Sequence, residues 1–443
     1  MGLTESLARL TTRRIALGGE AEAIIAGGFI DAIGCMLGGA REPAVAAVLS
    51  VVRARAGGPA PARLLLGAER ASPQDAALVN GTAAHALDYD DVALTGHPSA
   101  VLVPALLAEG ERCDANGEAV MEAYLTGYEV WAELVSRDQD PYHDAGWHST
   151  SVIGTVAAAA AVARLNELDE TRSRHSLAIA ASMASGLLAN FGTMMKPVHA
   201  GRAASCGIEA TRLAQAGLTA SAELFEGEVG FVKAYSPRGR IDREAPLRTP
   251  QHLWLLDHRL SIKKYPLCYA THRVVDAVID LARQHHVAAS DVAAAHVTVG
   301  VSQAAMLHSH APDNPMEAKF SLEFAVAAAL VAGTVGLAHL QPEFIRREEV
   351  RQLMKKVVTH TCSTRCPVAP AFSFADQVTL TLHDGRTLRS PEVRFARGDG
   401  RHPLHDGELE AKFLDCAGPQ AARLLSRLKQ LRTLPSLRAL CLE

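Results

Sequence analysis

Residues 192–204 read GTMMKPVHAGRAA, which sets one lysine (Lys196), one histidine (His199), one arginine (Arg202) and two glycines in a short run. Before it, Glu170–Leu188 carries apolar Leu177, Ala181, Ala184 and Leu188 at i, i+4, i+7 and i+11, the period of an amphipathic helix. Asn190 and Gly192 are stop signals for that helix, and the Ala-rich run from about Ala200 to Gly217 reads as the next one. Lys196 and His199 are thus expected in a turn at a helix N-terminus, where free N–H groups and the helix dipole favour an anion. Pro197 fixes one backbone angle there and Gly201 permits close backbone approach. Such a run suits a pocket for a small carboxylate, and equally a solvated loop at a helix start.

The rest of the chain keeps to this helical pattern for more than half its length. At 443 residues it is long enough for two or more domains, because single cores rarely outgrow roughly 250–300 residues. Aromatic residues make up only 5%, so the core is built from Ala, Leu and Val, which suits closely packed helices. A net charge of −4 without long charge runs gives no reason to expect nucleic acid or an anionic membrane as partner. Eight scattered cysteines form no disulfide framework, and the Cys362/Cys366 pair lacks the second pair that a zinc site needs. The N-terminal residues show no secretory h-region, and the longest apolar stretch, Val152–Ala163, is too short to span a bilayer. These features lead to the expectation of a soluble, cytoplasmic protein with no metal.

Residues 1–55 carry helical patterns broken at Gly18–Gly19 and Gly38–Gly39, and Ser72–Ala86 reads as a helix with Ser72 as N-cap. It runs into HALDYDDVALTGHPSA (85–100), where Asp88, Asp90 and Asp91 fall close to His85 and His97. Carboxylates beside histidines suit acid–base work, although aspartates before a helix also serve as caps. Helices are expected at Pro104–Glu111 and Gly117–Ser136. His148 stands just before the N-cap candidates Ser149 and Thr150, where the positive helix end favours a neutral imidazole able to act as a base. The Ala157–Ala161 run demands tight contact with another helix, and the glycine-punctuated Phe225–Phe231 could help close a pocket or merely connect helices.

Near residue 260 the pattern changes. Ala294–Val301 alternates as a strand, and Gln377–Leu382 with Thr387–Leu388 flank Asp384–Gly385 as a hairpin. Between them Leu322–Leu330 and Arg347–Val357 read as helices, and Glu408–Leu431 is helical again. The expected fold is mainly α: a large all-helical domain from residues 1–259 with 403–443, and an inserted smaller α+β lid domain at 260–402.

Six ordered stretches resemble the MmgE/PrpD family, which includes 2-methylcitrate dehydratase, cis-aconitate decarboxylase and iminodisuccinate epimerase. They are NGTAAHALDYDD (80–91), GHPSA (96–100), GWHSTSVIGT (146–155), KPVHAGRAA (196–204), KKYPLCYATH (263–272) and NPMEAKFSLEF (314–324). The resemblance implies a homodimer that works on a small polycarboxylate without metal or organic cofactor. Carried over onto these motifs, it implies Asp88, His97, His148, Lys196 and His272 as catalytic residues, with Lys264 and Tyr265 as additions for substrate binding beside His199 and Arg202. Val92 stands where many relatives carry threonine, and the run from there to His97 is one residue shorter than in the decarboxylases. These departures favour dehydration of a 2-methylcitrate-like hydroxy acid as the leading expectation. In that scheme Lys196 neutralises carboxylates, His97 and His148 move protons, and Asp88 orients or charges one of the two histidines. Decarboxylation of the cis-aconitate type, epimerisation of the iminodisuccinate type, and a catalytically silent polycarboxylate-binding relative are the alternatives.

Overall fold

Alanine and glycine decide how the helices of this protein pack. The computed structural model describes residues 1–55, 57–249, 251–367 and 372–442. Helix makes up 56% of it and strand 9%, so the fold is mainly α with a small α+β part. Two units are distinguishable, Met1–Ile262 with His405–Glu443, and Lys263–Leu404.

The first unit contains α1 (Leu3–Thr12), α2 (Gly19–Gly39), α3 (Pro43–Ala54), α4 (Pro73–Ala86), α5 (Pro98–Cys113), α6 (Gly117–Ser136), α7 (Ser149–Leu165), α8 (Glu170–Met183) and α9 (Met195–Gln215). Ser72 caps α4, its hydroxyl accepting the Asp75 N–H at 3.2 Å, and Asn116 caps α6 in the same way through Ala119. Helices α4 and α9 cross with almost no side chain between them. A methyl group on Gly201 would lie 2.1 Å from the Leu78 carbonyl oxygen, and one on Gly81 would lie 2.7 Å from the Gly201 Cα. Gly201 therefore admits a neighbouring helix rather than a ligand. The Ala157–Ala161 run of α7 is fully buried and meets α9 at Gly207, where an added methyl would stand 2.4 Å from the Ala158 Cβ. Helix α2 is long and apolar enough to cross a membrane by length and composition, and 67% of that stretch is buried within the fold.

Helices α5 and α7 are the central ones. Every residue from Pro98 to Glu111 and from Ser149 to Ala163 is buried. Helix α5 begins six residues before the Pro104 start expected from the sequence, and Pro104 lies inside it. The missing N–H of Pro104 frees the carbonyl of Ala100 from its usual helical partner. Helix α8 stops at Met183, five residues before the expected Leu188, and α9 starts at Met195 rather than near Ala200. Lys196 and His199 consequently lie in the first turns of a helix, not in the turn before it. Phe225 is fully buried against Phe231, and its N–H donates to the Thr4 hydroxyl, so this segment ties the core together as an inter-helix connection.

The second unit is built on a four-stranded sheet. Its strands are β1 (Val292–Gly300), β2 (Val357–Cys362), β3 (Gln377–Leu382) and β4 (Thr387–Arg389), in the order β2-β1-β3-β4. Strand β1 runs parallel to β2 and antiparallel to β3, and β3 and β4 form the hairpin read from Asp384–Gly385. The helix expected over Arg347–Val357 ends at Met354, and Val357 opens a strand instead. Helices His272–His285 and Leu322–Ala332 pack with the sheet around a separate apolar core that includes Val274, Val278, Phe324 and Val297. The chain then returns to the first unit through helices Asp406–Ala417 and Ala422–Leu428, separated by a short turn of 3₁₀ helix within the expected Glu408–Leu431 span.

Candidate active site

Three helix N-termini in the first unit present the ionisable groups. His97 occupies the N-cap position of α5 and His148 that of α7, and neither imidazole caps its own helix. Lys196 is the second residue of α9. The His97 N–H donates to the Thr150 hydroxyl on α7 at 3.2 Å, and His148 Nδ1 lies 3.1 Å from His199 Nδ1 on α9, which ties the three starts together. Each start carries the partial positive charge of its helix dipole, an arrangement suited to an anionic ligand.

The aspartates of HALDYDD have separate partners. Asp88 has left-handed backbone (φ 53°) just past the end of α4, and its Oδ1 lies 2.6 Å from Lys196 Nζ. Asp90 is completely buried between two imidazoles: His85 Nδ1 is 3.0 and 2.9 Å from its two oxygens, and His97 Nδ1 is 2.9 Å from Oδ2. The His97 contact is close but off the line of a hydrogen bond. Asp91 accepts the Ser99 N–H at 3.3 Å and so caps α5. Burial pushes the Asp91 carboxyl well up, helped by Asp31 and Asp90. Burial would also raise Asp90, but the two imidazoles outweigh it and hold this carboxyl well below the usual range. Because a carboxylate only accepts, His85 carries its proton on Nδ1.

Three of the histidines, His85, His148 and His199, are held towards the neutral form. Burial pushes His85 down to about 4, despite Asp90. His148 lies well below the ordinary imidazole value through burial and then the neighbouring His85 and Lys196. His199 is lowered by burial and Lys196. His148 and His199 meet through their Nδ1 atoms, so one ring donates to the other. Whichever donates, the choice fixes whether His148 Nε2 offers a proton or a lone pair. Phe191 sits over this group, its ring 4.9 Å from the His148 ring and 5.2 Å from Lys196 Nζ.

Sequence reasoning thus named five residues that the first unit gathers or links: Asp88, His97, His148, Lys196 and His199. It grouped Asp90 and His85 with His97 in the HALDYDDVALTGHPSA stretch but gave neither a role, because their contacts depend on the packing of α4 against α5. The carboxylate placed between two imidazoles is Asp90, whereas Asp88, expected to orient or charge a histidine, pairs with Lys196. Arg202, expected to bind substrate, is exposed and lines a cavity of about 670 Å³ with Arg55, Asp75, Arg112, Glu209 and Arg212. There Arg55 pairs with Asp75, while Arg112 and Arg212 pair with Glu109.

The second unit holds the other three expected residues close together. His272 opens its helix fully buried, with Nε2 3.3 Å from the Leu267 carbonyl and its ring flanked by Tyr265 and Tyr269. The Tyr265 hydroxyl donates to Asp276 at 2.6 Å, so this group, expected to bind substrate, is engaged inside the unit. Burial and Asp276 together push its ionisation far up. Lys264 is half-buried beside it.

Among the described residues, His85, Asp90 and His97 form a group able to hold a metal, with ligand atoms within 4.8 Å of one another. Two imidazoles and a carboxylate are competent ligands for divalent transition metals. The same three groups, with His85 hydrogen-bonded to Asp90 and His97 in close contact with it, also form an acid–base cluster.

The chain is 31% identical over 358 residues to cis-aconitate decarboxylase of Mus musculus, covering 78% of this chain and 72% of that protein. It is 31% identical over 359 residues to the Homo sapiens cis-aconitate decarboxylase, with the same coverage. A cis-aconitate decarboxylase of Aspergillus terreus is 26% identical over 436 residues, 91% of this chain and 86% of its own length. The MmgE/PrpD N-terminal domain matches residues 7–244, which hold the helix starts and the Lys196–Asp88 pair, and the MmgE/PrpD C-terminal domain matches residues 265–430. Both domain models match in chain order and together cover most of the sequence, so this chain belongs to the MmgE/PrpD family.

Proposed function

We propose that this chain is a lyase that decarboxylates a small unsaturated tricarboxylic acid of the cis-aconitate type. The observation that carries this reading is the placing of Lys196, His97 and His148 at three linked helix N-termini. It is supported by the relatives named above, which are decarboxylases by name. For the same reason the dehydration of a 2-methylcitrate-like acid, the leading expectation from sequence, becomes the second choice. Val92, the residue that favoured dehydration, is held through its backbone to Ser261 by two 2.9 Å hydrogen bonds.

In the proposed reaction Lys196, at the positive end of α9, receives a carboxylate of the substrate. The C–C bond to the carboxylate on the saturated arm breaks, and CO2 leaves. Its electron pair spreads over the former double bond as an allylic carbanion, which takes one proton from an imidazole N–H. Asp90 offers a counter-charge to a proton-carrying His97 ring, while neutral His148 is suited to accept or relay a proton. Each hydrogen bond that strengthens as charge spreads into the allylic system lowers the barrier, with about 1.4 kcal/mol corresponding to tenfold in rate. Phe191 excludes water from Lys196 and His148, which strengthens these interactions.

Proton NMR of the purified protein in D2O with cis-aconitate, citrate, 2-methylcitrate and iminodisuccinate, each run separately, tests the proposal. Loss of CO2 from cis-aconitate with one deuteron in each product is the expected result. Water loss from 2-methylcitrate with cis-aconitate untouched would make the chain a dehydratase. Deuterium entry into iminodisuccinate without net loss would make it an epimerase.

A further inference from the structure

His85 is a buried imidazole for which the proton-transfer scheme has so far no use. It sits in the last turn of α4, 1% exposed, with its ring centroid 4.4 Å from that of His97 and 5.9 Å from that of His148. Its Nδ1 lies 3.0 and 2.9 Å from the two oxygens of Asp90, and its Nε2 is buried with no hydrogen-bond partner among the described residues. Among the described residues, the only hydrogen-bond partner of the ring is therefore this carboxylate. Burying an imidazole costs free energy that an apolar side chain of similar size would not. A residue kept only to fill space here has no need of a nitrogen facing Asp90.

The consequence lies in how Asp90 is held. Its carboxylate is fully buried and is approached by His85 through both oxygens, while only Oδ2 faces His97, at 2.9 Å and off the hydrogen-bond line. Without a donor from α4 the carboxylate could rotate about its Cβ–Cγ bond and turn away from His97. Catalytic hydrogen bonds are often poorly aligned before substrate binds and tighten in the complex. A fixed carboxylate and a slightly rotated His97 ring make such tightening a small motion.

Resting on the decarboxylase reading above, we infer that His85 is a positioning residue: its Nδ1–H fixes the Asp90 carboxylate so that Oδ2 faces His97 and balances that ring's charge as it delivers a proton to the decarboxylated carbon. His85 itself transfers no proton. The inference separates two kinds of substitution. In His85→Asn the amide nitrogen takes the place of Nδ1 and keeps the donor to Asp90. In His85→Leu the bulk is comparable and the donor is gone.

The experiment is steady-state decarboxylation of cis-aconitate by the full-length chain and both variants, with Tm measured for each. The expected result is a kcat for His85→Asn within about fivefold of the parent, and for His85→Leu a fall of roughly 10²-fold, with KM changed less than threefold in both. Equal kcat for the two variants, at parental Tm, overturns the inference, because the donor would then be irrelevant. A collapse of His85→Asn with parental Tm also overturns it, because the ring itself would then carry a proton. Should His85→Leu fail to fold, His85→Gln replaces it, since its amide lies one bond too far to reach Asp90 in the same way. If the parent protein does not decarboxylate cis-aconitate, the functional reading fails first. The inference is then tested on whichever acid the NMR screen shows to react or, if none does, by ¹⁵N NMR of histidine-labelled protein. There, an Nδ1-protonated His85 signal that is lost in His85→Asn supports the inference, and an Nε2-protonated tautomer overturns it.

Discussion

Lys196 Nζ and Asp88 Oδ1 are 2.6 Å apart, and both side chains are about nine-tenths buried. The ammonium at the start of α9 is thereby tied to a residue two positions beyond the end of α4, and the crossing of these helices at Gly81 and Gly201 makes the contact possible. A buried ion pair of this kind contributes little as a pair but is costly to break on one side. We expect Asp88→Asn to lose roughly 3–5 kcal/mol of stability and Lys196→Met to lose at least 10²-fold in kcat/KM. The double variant should recover stability relative to Asp88→Asn alone while remaining inactive. A denaturant-unfolding double-mutant cycle reads the coupling, and strictly additive losses would show that the two groups act independently.

The two N-cap histidines should behave alike in turnover and differently in structure. Losing a positioned acid or base costs roughly 10²–10⁴-fold, so His97→Ala and His148→Ala are each expected to reduce kcat by that range. His97 also holds α5 to α7 through its N–H, a backbone contact that survives the substitution, so its Tm should barely move. His148 loses its contact with His199 and its place beneath Phe191, so its variant should melt earlier. Turnover and melting of the two variants side by side test the contrast.

What the sequence could and could not reveal follows from the same geometry. The family-like motifs GHPSA, GWHSTS and KPVHAGRAA mark His97, His148 and Lys196, although the helices after His97 and around Lys196 were expected to start six and five residues later than they do. The motifs cannot say which of Asp88, Asp90 and Asp91 meets which partner, since that depends on a left-handed residue at Asp88 and on three helices meeting. Arg202 misled because it was read in the opening of a helix starting near Ala200. With α9 already under way at Met195, six residues from Lys196 turn about 600°, which places Arg202 about 120° away from the lysine's face. Strand β2 was missed because it is an edge strand whose residues are mostly exposed, so it lacks the alternation that marked β1.

The depressed histidines make stability depend on pH in a definite direction. His85 and His143 both titrate near 4 in the folded chain, chiefly because they are buried, against an ordinary value of 6.5. A folded-state value below the unfolded one means that the unfolded chain binds more protons. Their contribution is therefore complete above pH 6.5 and is lost as the pH falls from 6.5 towards 4. Each depression corresponds to about 3 kcal/mol at most. We expect Tm to drop steeply across this window, and His85→Asn to show a visibly shallower drop than the parent. An unchanged slope in that variant would assign the acid lability to other groups.

The turn that delivers His97 is strained, and the strain can be relieved without touching the site. Ala93 and Gly96 exchange two backbone hydrogen bonds of 3.0 and 2.9 Å around Leu94 and Thr95, both left-handed with φ of 48° and 60°. Tight hairpin turns of this kind favour Asn and Gly, and a β-branched residue is the least suited to such angles. The Trp131 indole N–H donates to the Leu94 carbonyl at 3.2 Å, and its ring closes on Gly96, where a methyl group would lie 2.6 Å away. Thr95 is exposed and has no part in the packing, so Thr95→Gly should raise stability by about 1 kcal/mol, offset in part by greater freedom in the unfolded chain, and leave kcat unchanged. Gly96→Ala should do the opposite, because Trp131 and Thr150 leave no room and the turn must shift His97 away from Asp90. We expect at least a tenfold loss of kcat, and a crystal structure of the variant should show the displaced ring. If Gly96→Ala keeps full activity, the position of His97 does not depend on this turn, and Asp90 alone holds the ring in place.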